Sequence, residues 1–352
     1  MKIVINTNYQ SAGSKVCVDD LIPRLIKSGH TIAKNDWKNY SQYDVALFMA
    51  TDSEVQAAKK ENPQIICGIM DPKTTTPKNT TGRNIKEMRS ADFLLVSSIE
   101  QRDFLYKYNE DIVIYYMFPD IKKMERKHFS KDKIIIGYHG NKVHLNCFYP
   151  KITKALENIA SEFPVELWAM YNIKKLGKWK HGVPRNIKIR HIQWSEENYY
   201  EYLAKADIGI VNNEIPIKEK IGNLTTRHLT GEYLFFNMHN YDYSDYLIRY
   251  KYSSNPGRIY VFSQLGIPII SDFTPSSCQI IQDGKSGFIA HSVEGWQRAM
   301  EQLIKSPELR NRVSTNLKSY IDNTISIDKN FDNLVSFLEK LINKKIGDSK
   351  EG

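Results

Sequence analysis

The stretch Ile134-Ile-Ile-Gly-Tyr-His-Gly-Asn141 is apolar until a histidine, a glycine and an asparagine close it. A strand apolar on both faces is buried on both faces. It belongs in a parallel sheet covered by helices, because an antiparallel sheet with one wet face would alternate apolar and polar residues. Downstream, helix-like and strand-like runs take turns: a helix near 152–163, strands at 165–170 and 187–192, a helix at 195–204 and a strand at 208–211. A helix near 257–265, a strand at 267–271 and helices from Val293 onward complete the series. The pattern predicts an α/β domain.

Upstream, the same alternation runs to completion by itself, with strands expected at 2–6, 44–49, 64–69, 93–97 and 112–116 and helices at 16–28, 53–60 and 99–107. Between the two series lies Asp120-Ile-Lys-Lys-Met-Glu-Arg-Lys-His-Phe-Ser-Lys-Asp-Lys133, headed by Pro119, charged and without period, which reads as a linker. A chain of 352 residues suits two domains of roughly 150–200 residues better than one core. We therefore expect domains at 1–125 and 133–325, an insertion at 212–252, and a C-terminal helix and tail at 326–352. The insertion fits neither period and is rich in tyrosine, which suits sugar faces or a subunit contact, and would equally cover the domain's own core. The last helix is expected at about 331–342, with a mobile polar tail from Lys344.

At 41% hydrophobic and 25% charged residues the chain is globular. No run reaches the roughly 18 apolar residues of a membrane span. The N-terminal Lys2-Ile3-Val4-Ile5 reads as a strand, not as a leader. Cys17, Cys67, Cys147 and Cys278 are widely spaced without metal-ligand pattern, as expected of reduced thiols in the cytoplasm. A formal charge of +9 favours an anionic partner: nucleic acid, an anionic membrane surface or a phosphorylated substrate. No nucleic-acid motif organises the lysines, so no nucleic-acid partner is expected.

Parallel α/β domains bind at the C-terminal ends of their strands. In the first domain the loop Thr7-Asn8-Tyr9-Gln10-Ser11-Ala12-Gly13-Ser14-Lys15 leads into a helix, and Gly13 sits where an anion would meet free N–H groups or where an ordinary tight turn needs a small residue. In the second domain Tyr138-His139-Gly140-Asn141-Lys142 joins a glycine, which lets a phosphate or sugar approach the backbone, to a lysine that neutralises it. His139 reads either as a ligand contact or as a satisfied histidine at a strand end. Further on, Ser253-Ser254-Asn255-Pro256-Gly257-Arg258 caps an apolar helix, and a guanidinium at that helix start suits a pyrophosphate.

The run Arg258-Ile-Tyr-Val-Phe-Ser-Gln-Leu-Gly-Ile-Pro-Ile-Ile-Ser271, followed by Pro275-Ser-Ser-Cys-Gln-Ile-Ile-Gln-Asp-Gly-Lys-Ser-Gly-Phe-Ile289, resembles the donor-binding half of GT-B glycosyltransferases of the group 1, family 4 kind. Shared features are a basic residue, a helix ending in Gly-x-Pro, a strand and the turn Asp283-Gly284-Lys285-Ser286-Gly287. The resemblance spans about residues 134–320, and over the N-terminal half it is one of architecture only. It implies two Rossmann-like domains facing across a cleft, no cofactor, no obligatory metal, and a nucleotide-sugar donor whose sugar moves to a glycan or lipid-linked acceptor. That would suit bacterial surface polysaccharide or glycoconjugate synthesis at the inner face of the membrane, with peripheral membrane contact and homo-oligomerisation left open.

By the same resemblance, Lys142 and Arg258 would stabilise the departing diphosphate, while Gly140, Asn141, Ser254, Asn255 and Gly257 would line the donor; Gly13 and His139 join the donor-contact candidates on the reading of their loops alone. Asp71, beyond the strand at 64–69, would be the general base of an inverting member, although Asp before Pro72 is also a common turn opening. The pair of glutamates by which that family holds sugar and ribose is missing, for those slots hold Ser253 and Val261. Two other readings fit the same fold: an epimerase or polyol-phosphate transferase acting on an activated donor, and a non-catalytic partner subunit.

Overall fold

The computed structural model describes residues 1–73, 81–197, 199–215, 220–221, 224–225, 250 and 255–351. The chain forms two compact units. One is Met1–Asp120, Tyr252–Gly257 and Thr324–Gly352; the other is Ile121–Lys251 and Arg258–Asn323.

The first unit is built on six parallel strands, β1 (Lys2–Asn6), β2 (Thr31–Lys34), β3 (Val45–Met49), β4 (Ile66–Met70), β5 (Phe93–Val96) and β6 (Ile112–Ile114), in the order β2-β1-β3-β4-β5-β6. Successive side chains point to opposite faces, so each strand feeds two cores. Ile3, Ile5, Val45, Leu47 and Phe93 pack with Leu21 and Leu25 of the helix Leu21–Lys27. Val4, Ala46, Phe48 and Leu94 pack with Val55 and Ala58 of the helix Val55–Glu61. Gly68 is obligatory in β4, since a Cβ there would lie 2.3 Å from the Phe93 ring. Strand β2, unexpected from sequence, is a half-exposed edge of Thr-Ile-Ala-Lys, too short and polar to announce itself.

The final helix completes this unit. It runs Ile327–Glu351, and its Phe331, Leu334 and Leu338 enter the core beside Ile3, Leu47 and Phe93. The expected end of the helix near residue 342 is corrected: the helix continues past Lys344, and Lys345 Nζ donates to the Ile65 carbonyl at 2.9 Å and pairs with Asp92 at 3.4 Å.

The second unit contains β7 (Ile134–His139), β8 (Val165–Tyr171), β9 (Lys188–Gln193) and β10 (Ile208–Val211), a two-strand antiparallel ladder of β11 (Lys220–Ile221) and β12 (Leu224–Thr225), then β13 (Ile269–Asp272) and β14 (Phe288–Ala290). Its main sheet is wholly parallel, in the order β14-β13-β10-β7-β8-β9. The chain winds outward from β7 through β9, then returns to the other side of β7 with β10. Strand order therefore reverses between β7 and β10. Ile136, Tyr138, Leu156, Ile159 and Trp296 fill one face.

The charged run after Asp120 is tied down, not slack. Met124 N donates to Gln264 O at 2.8 Å, Arg126 reaches Ala204 O at 2.5 Å and Asp207 at 3.0 Å, and Arg310 reaches Phe129 O at 2.7 Å. His128 Nε2 lies 2.9 Å from Gly266 O. Polar contacts, not an apolar face, hold the segment, in keeping with its lack of apolar period and of regular structure.

Candidate functional site

A parallel sheet binds ligands in the crevice outside the strand ends where strand order reverses. In the second unit that crevice lies at the ends of β7 and β10. Beyond β7 come Gly140 and Asn141, the latter capping the short helix Lys142–Leu145 by accepting from Val143 N at 3.0 Å. Beyond β10 come Asn212, Asn213 and Glu214, and β13 ends on Asp272.

Arg258, from the first turn of the helix Gly257–Gln264, reaches into this crevice. Its Nη2 donates to Asn213 Oδ1 at 2.6 Å, while its buried Nη1 has no hydrogen-bond partner. The guanidinium lies against Gly140. A Cβ on Gly140 would stand 3.1 Å from Arg258 Nη1 and 2.9 Å from the Tyr138 hydroxyl, and the backbone there has φ +148°. Glycine is needed for both reasons.

Asn213 continues the network. Its Nδ2 donates to Asp272 Oδ1 at 3.1 Å and lies 3.2 Å from Ser277 Oγ, and its backbone N–H also donates to Asp272. Glu214 N donates to Asp272 Oδ2 at 2.8 Å, and the Ser271 and Thr274 hydroxyls close on Ser277 at 2.8 and 2.9 Å. Burial, and then the nearby charge of Glu214, push the Asp272 carboxyl up to about 6 against the pull of these backbone donors and Arg258. Just behind, Glu214 pairs with Lys151 at 2.9 Å, its carbonyl lies 2.7 Å from His144 Nδ1, and it bridges to Tyr250. These contacts anchor both ends of the expected insertion; residues 216–219, 222–223 and 226–249 lie outside the described residues.

The other expected site residues fall in different places. His139 is buried between Phe262 and Tyr199, with ring centroids at 5.1 and 6.2 Å; burial and then the Arg258 charge push its imidazole down to about 3, so it is neutral. Lys142 points away from Gly140, its ammonium donating to the Leu176 carbonyl. In the first unit the side chain of Asn255 clamps the Met117 backbone, donating to its carbonyl at 2.6 Å and accepting from its N–H at 3.2 Å. Gly257 leaves room for that clamp, since a Cβ there would be 2.8 Å from Asn255 Nδ2. Ser254, like Ser253, lies outside the described residues. Val261 is buried in its helix.

Gly13 lies in the single turn Ala12–Ser14 beside a loop closed by its own serines, Ser11 N donating to Ser14 Oγ at 2.9 Å. Its nearest neighbour to an added Cβ, Ser11 Oγ, is at an ordinary 3.6 Å. Asp71 follows β4 directly, buried, with φ +46°, and its carboxylate takes Lys73 and, at 3.3 Å, Gln101 Nε2. Asn35 and Ala50, directly after β2 and β3, also have positive φ, 59° and 54°. Left-handed backbone at a non-glycine residue is uncommon and gathers at functional strand ends.

Asn213, Asp272, Thr274 and Ser277 were not legible as site residues. The available signal was strand order: polar residues ending β10, which lies next to β7, and β13, which lies next to β10. Periodicity alone does not give that order.

No protein-family profile matches this sequence, and no curated protein matches it. Solved structures do match in fold. HepE of Anabaena, in complex with UDP and glucose, is 11% identical, with 97% of this chain and 100% of that one covered at a TM-score of 0.59. Sucrose-phosphate synthase of Thermosynechococcus elongatus is 8% identical, covering 97% and 99% at 0.58. A protein of Listeria monocytogenes named as a UDP-N-acetylglucosamine 2-epimerase is 11% identical, covering 97% of each chain at 0.55. The two Rossmann-like domains are those of the GT-B glycosyltransferase fold.

Proposed function

We propose that this GT-B chain is a glycosyltransferase that holds a nucleotide-sugar by its diphosphate at the β7/β10 crevice and passes the sugar to a glycan or lipid-linked acceptor. The observation that carries the reading is the guanidinium of Arg258, set against Gly140 with one amino group unpartnered. A fixed cation with spare donors in a partly desolvated crevice is what a departing diphosphate requires, because charge that develops there meets a dipole already in place. That HepE was solved with UDP, with UDP and glucose and with UDP-glucose supports a nucleotide-sugar as the donor here.

In this reading the cation for the leaving group is Arg258, with no metal or cofactor. Asp71 is the base that takes the proton of the acceptor hydroxyl, its carboxylate oriented by Gln101 and Lys73. The epimerase among the structures of this fold keeps a second reading open, activation of the same donor without transfer. Product analysis separates the two, since transfer joins sugar to acceptor and epimerisation returns an isomeric donor. For the site itself, Arg258→Ala is expected to weaken UDP about ten-fold or more in calorimetry, as loss of a charge-assisted contact implies. An affinity equal to that of the unaltered protein would remove the assignment.

A further inference from the structure

Arg258, at a helix start, and Asp272, at the end of β13, bear opposite charges, yet among the described residues no carboxylate pairs directly with the guanidinium. Between them stands Asn213. Its orientation follows from what surrounds it: a carboxylate only accepts and a guanidinium only donates. The amide must therefore turn Nδ2 toward Asp272, at 3.1 Å, and Oδ1 toward Arg258, at 2.6 Å. Ser277 and Thr274 hydroxyls, 3.2 and 3.4 Å from Nδ2, hold that side further. A primary amide is a neutral group that satisfies both neighbours at once.

We infer that Asn213 is a positioning residue that acts as a neutral spacer, aiming Arg258 at the crevice while preventing its capture by Asp272. Resting on the reading of the site given above, the inference explains why a buried acid stands beside the anion site without cancelling it. A direct Arg258–Asp272 ion pair would satisfy both groups internally and leave no charge for a diphosphate. Through the amide, Arg258 is held at Nη2, and Nη1, buried on the Gly140 side, is left without a hydrogen-bond acceptor.

The test uses inorganic pyrophosphate as the probe, in calorimetry on the full chain, with thermal melting as a check on folding. Asn213→Ala opens the gap for a direct Arg258–Asp272 contact, so the dissociation constant is expected to rise about ten-fold. Combining it with Asp272→Asn removes the captor, and the double variant is expected to recover most of that loss. Recovery is the decisive readout, because a residue with a merely structural role would be damaged further by a second substitution in the same network. Should Asn213→Ala not fold, Asn213→Ser with and without Asp272→Asn carries the same comparison. Pyrophosphate affinity unchanged by Asn213→Ala, or lost without recovery in the double variant, overturns the spacer while an effect of Arg258→Ala leaves the anion site standing. If Arg258→Ala is also without effect, the reading of the site falls with it.

Discussion

Gly140 shows how one missing side chain shapes this site. Its φ of +148° and the 3.1 Å between an added Cβ and Arg258 Nη1 act together, one excluding other residues by backbone strain and the other by collision. Gly140→Ala is therefore expected to cost about 1–3 kcal/mol of stability and to displace the guanidinium. A fall in the melting temperature of the second unit together with weaker UDP binding checks both consequences; a variant that keeps full affinity would show that Arg258 needs no glycine beside it. His139, one residue earlier, behaves oppositely. Its ring is packed between two aromatic rings and neutral, so it supports the strand end by filling space.

At the scale of elements, the last helix shows why a unit need not be continuous in sequence. Ile327–Glu351 packs Phe331, Leu334 and Leu338 onto the sheet formed by residues at the other end of the chain. Leu338 is fully buried in that core. Leu338→Ala is expected to destabilise the first unit by about 2–5 kcal/mol, through lost transfer energy and the cavity left behind. Chemical denaturation that shows a change under 1 kcal/mol would mean the helix is dispensable to that core. The helix was legible from its apolar period, but its length was not, because beyond residue 342 the contacts that hold it are polar. Lys345 is anchored by the Ile65 carbonyl and the Asp92 carboxylate, from the residues just before β4 and β5.

For the whole molecule, buried ionisable groups set the response to acid. Burial, then the charges of Arg126 and Arg310, push His128 down to about 4 from 6.5 in spite of its contact with Gly266 O. Its folded value is depressed, so the unfolded chain takes the proton first on acidification. Its contribution is complete above about 6.5 and is lost as pH falls toward 4. Asp272 has the opposite sign: raised from 3.8 to about 6, its contribution is present below about 4 and is lost as pH rises through 6. Calorimetry between pH 7.5 and 5 should show the second unit losing stability on acidification, and His128→Gln, which keeps a donor for Gly266, should flatten the slope. An unchanged slope in that variant would mean that folding does not depress the pKa of this histidine.

Local sequence by itself determined a good deal here. Strands apolar on both faces dictate parallel sheets with helical cover, and two such series dictate two domains. Glycine after β7 and arginine at a helix start single out the candidate site, because backbone freedom and cationic charge are properties of single residues. Which polar groups meet was decided only by the tertiary structure. Arg258, Asn213 and Asp272 converge because crossovers lay β7, β10 and β13 side by side, and that order is written in no local period. Likewise Lys142, alike in sequence to a phosphate ligand, is committed to the Leu176 carbonyl, and Asn255 to the Met117 backbone. A hydrogen bond is settled by the nearest complementary group in space, and the fold alone says which group that is.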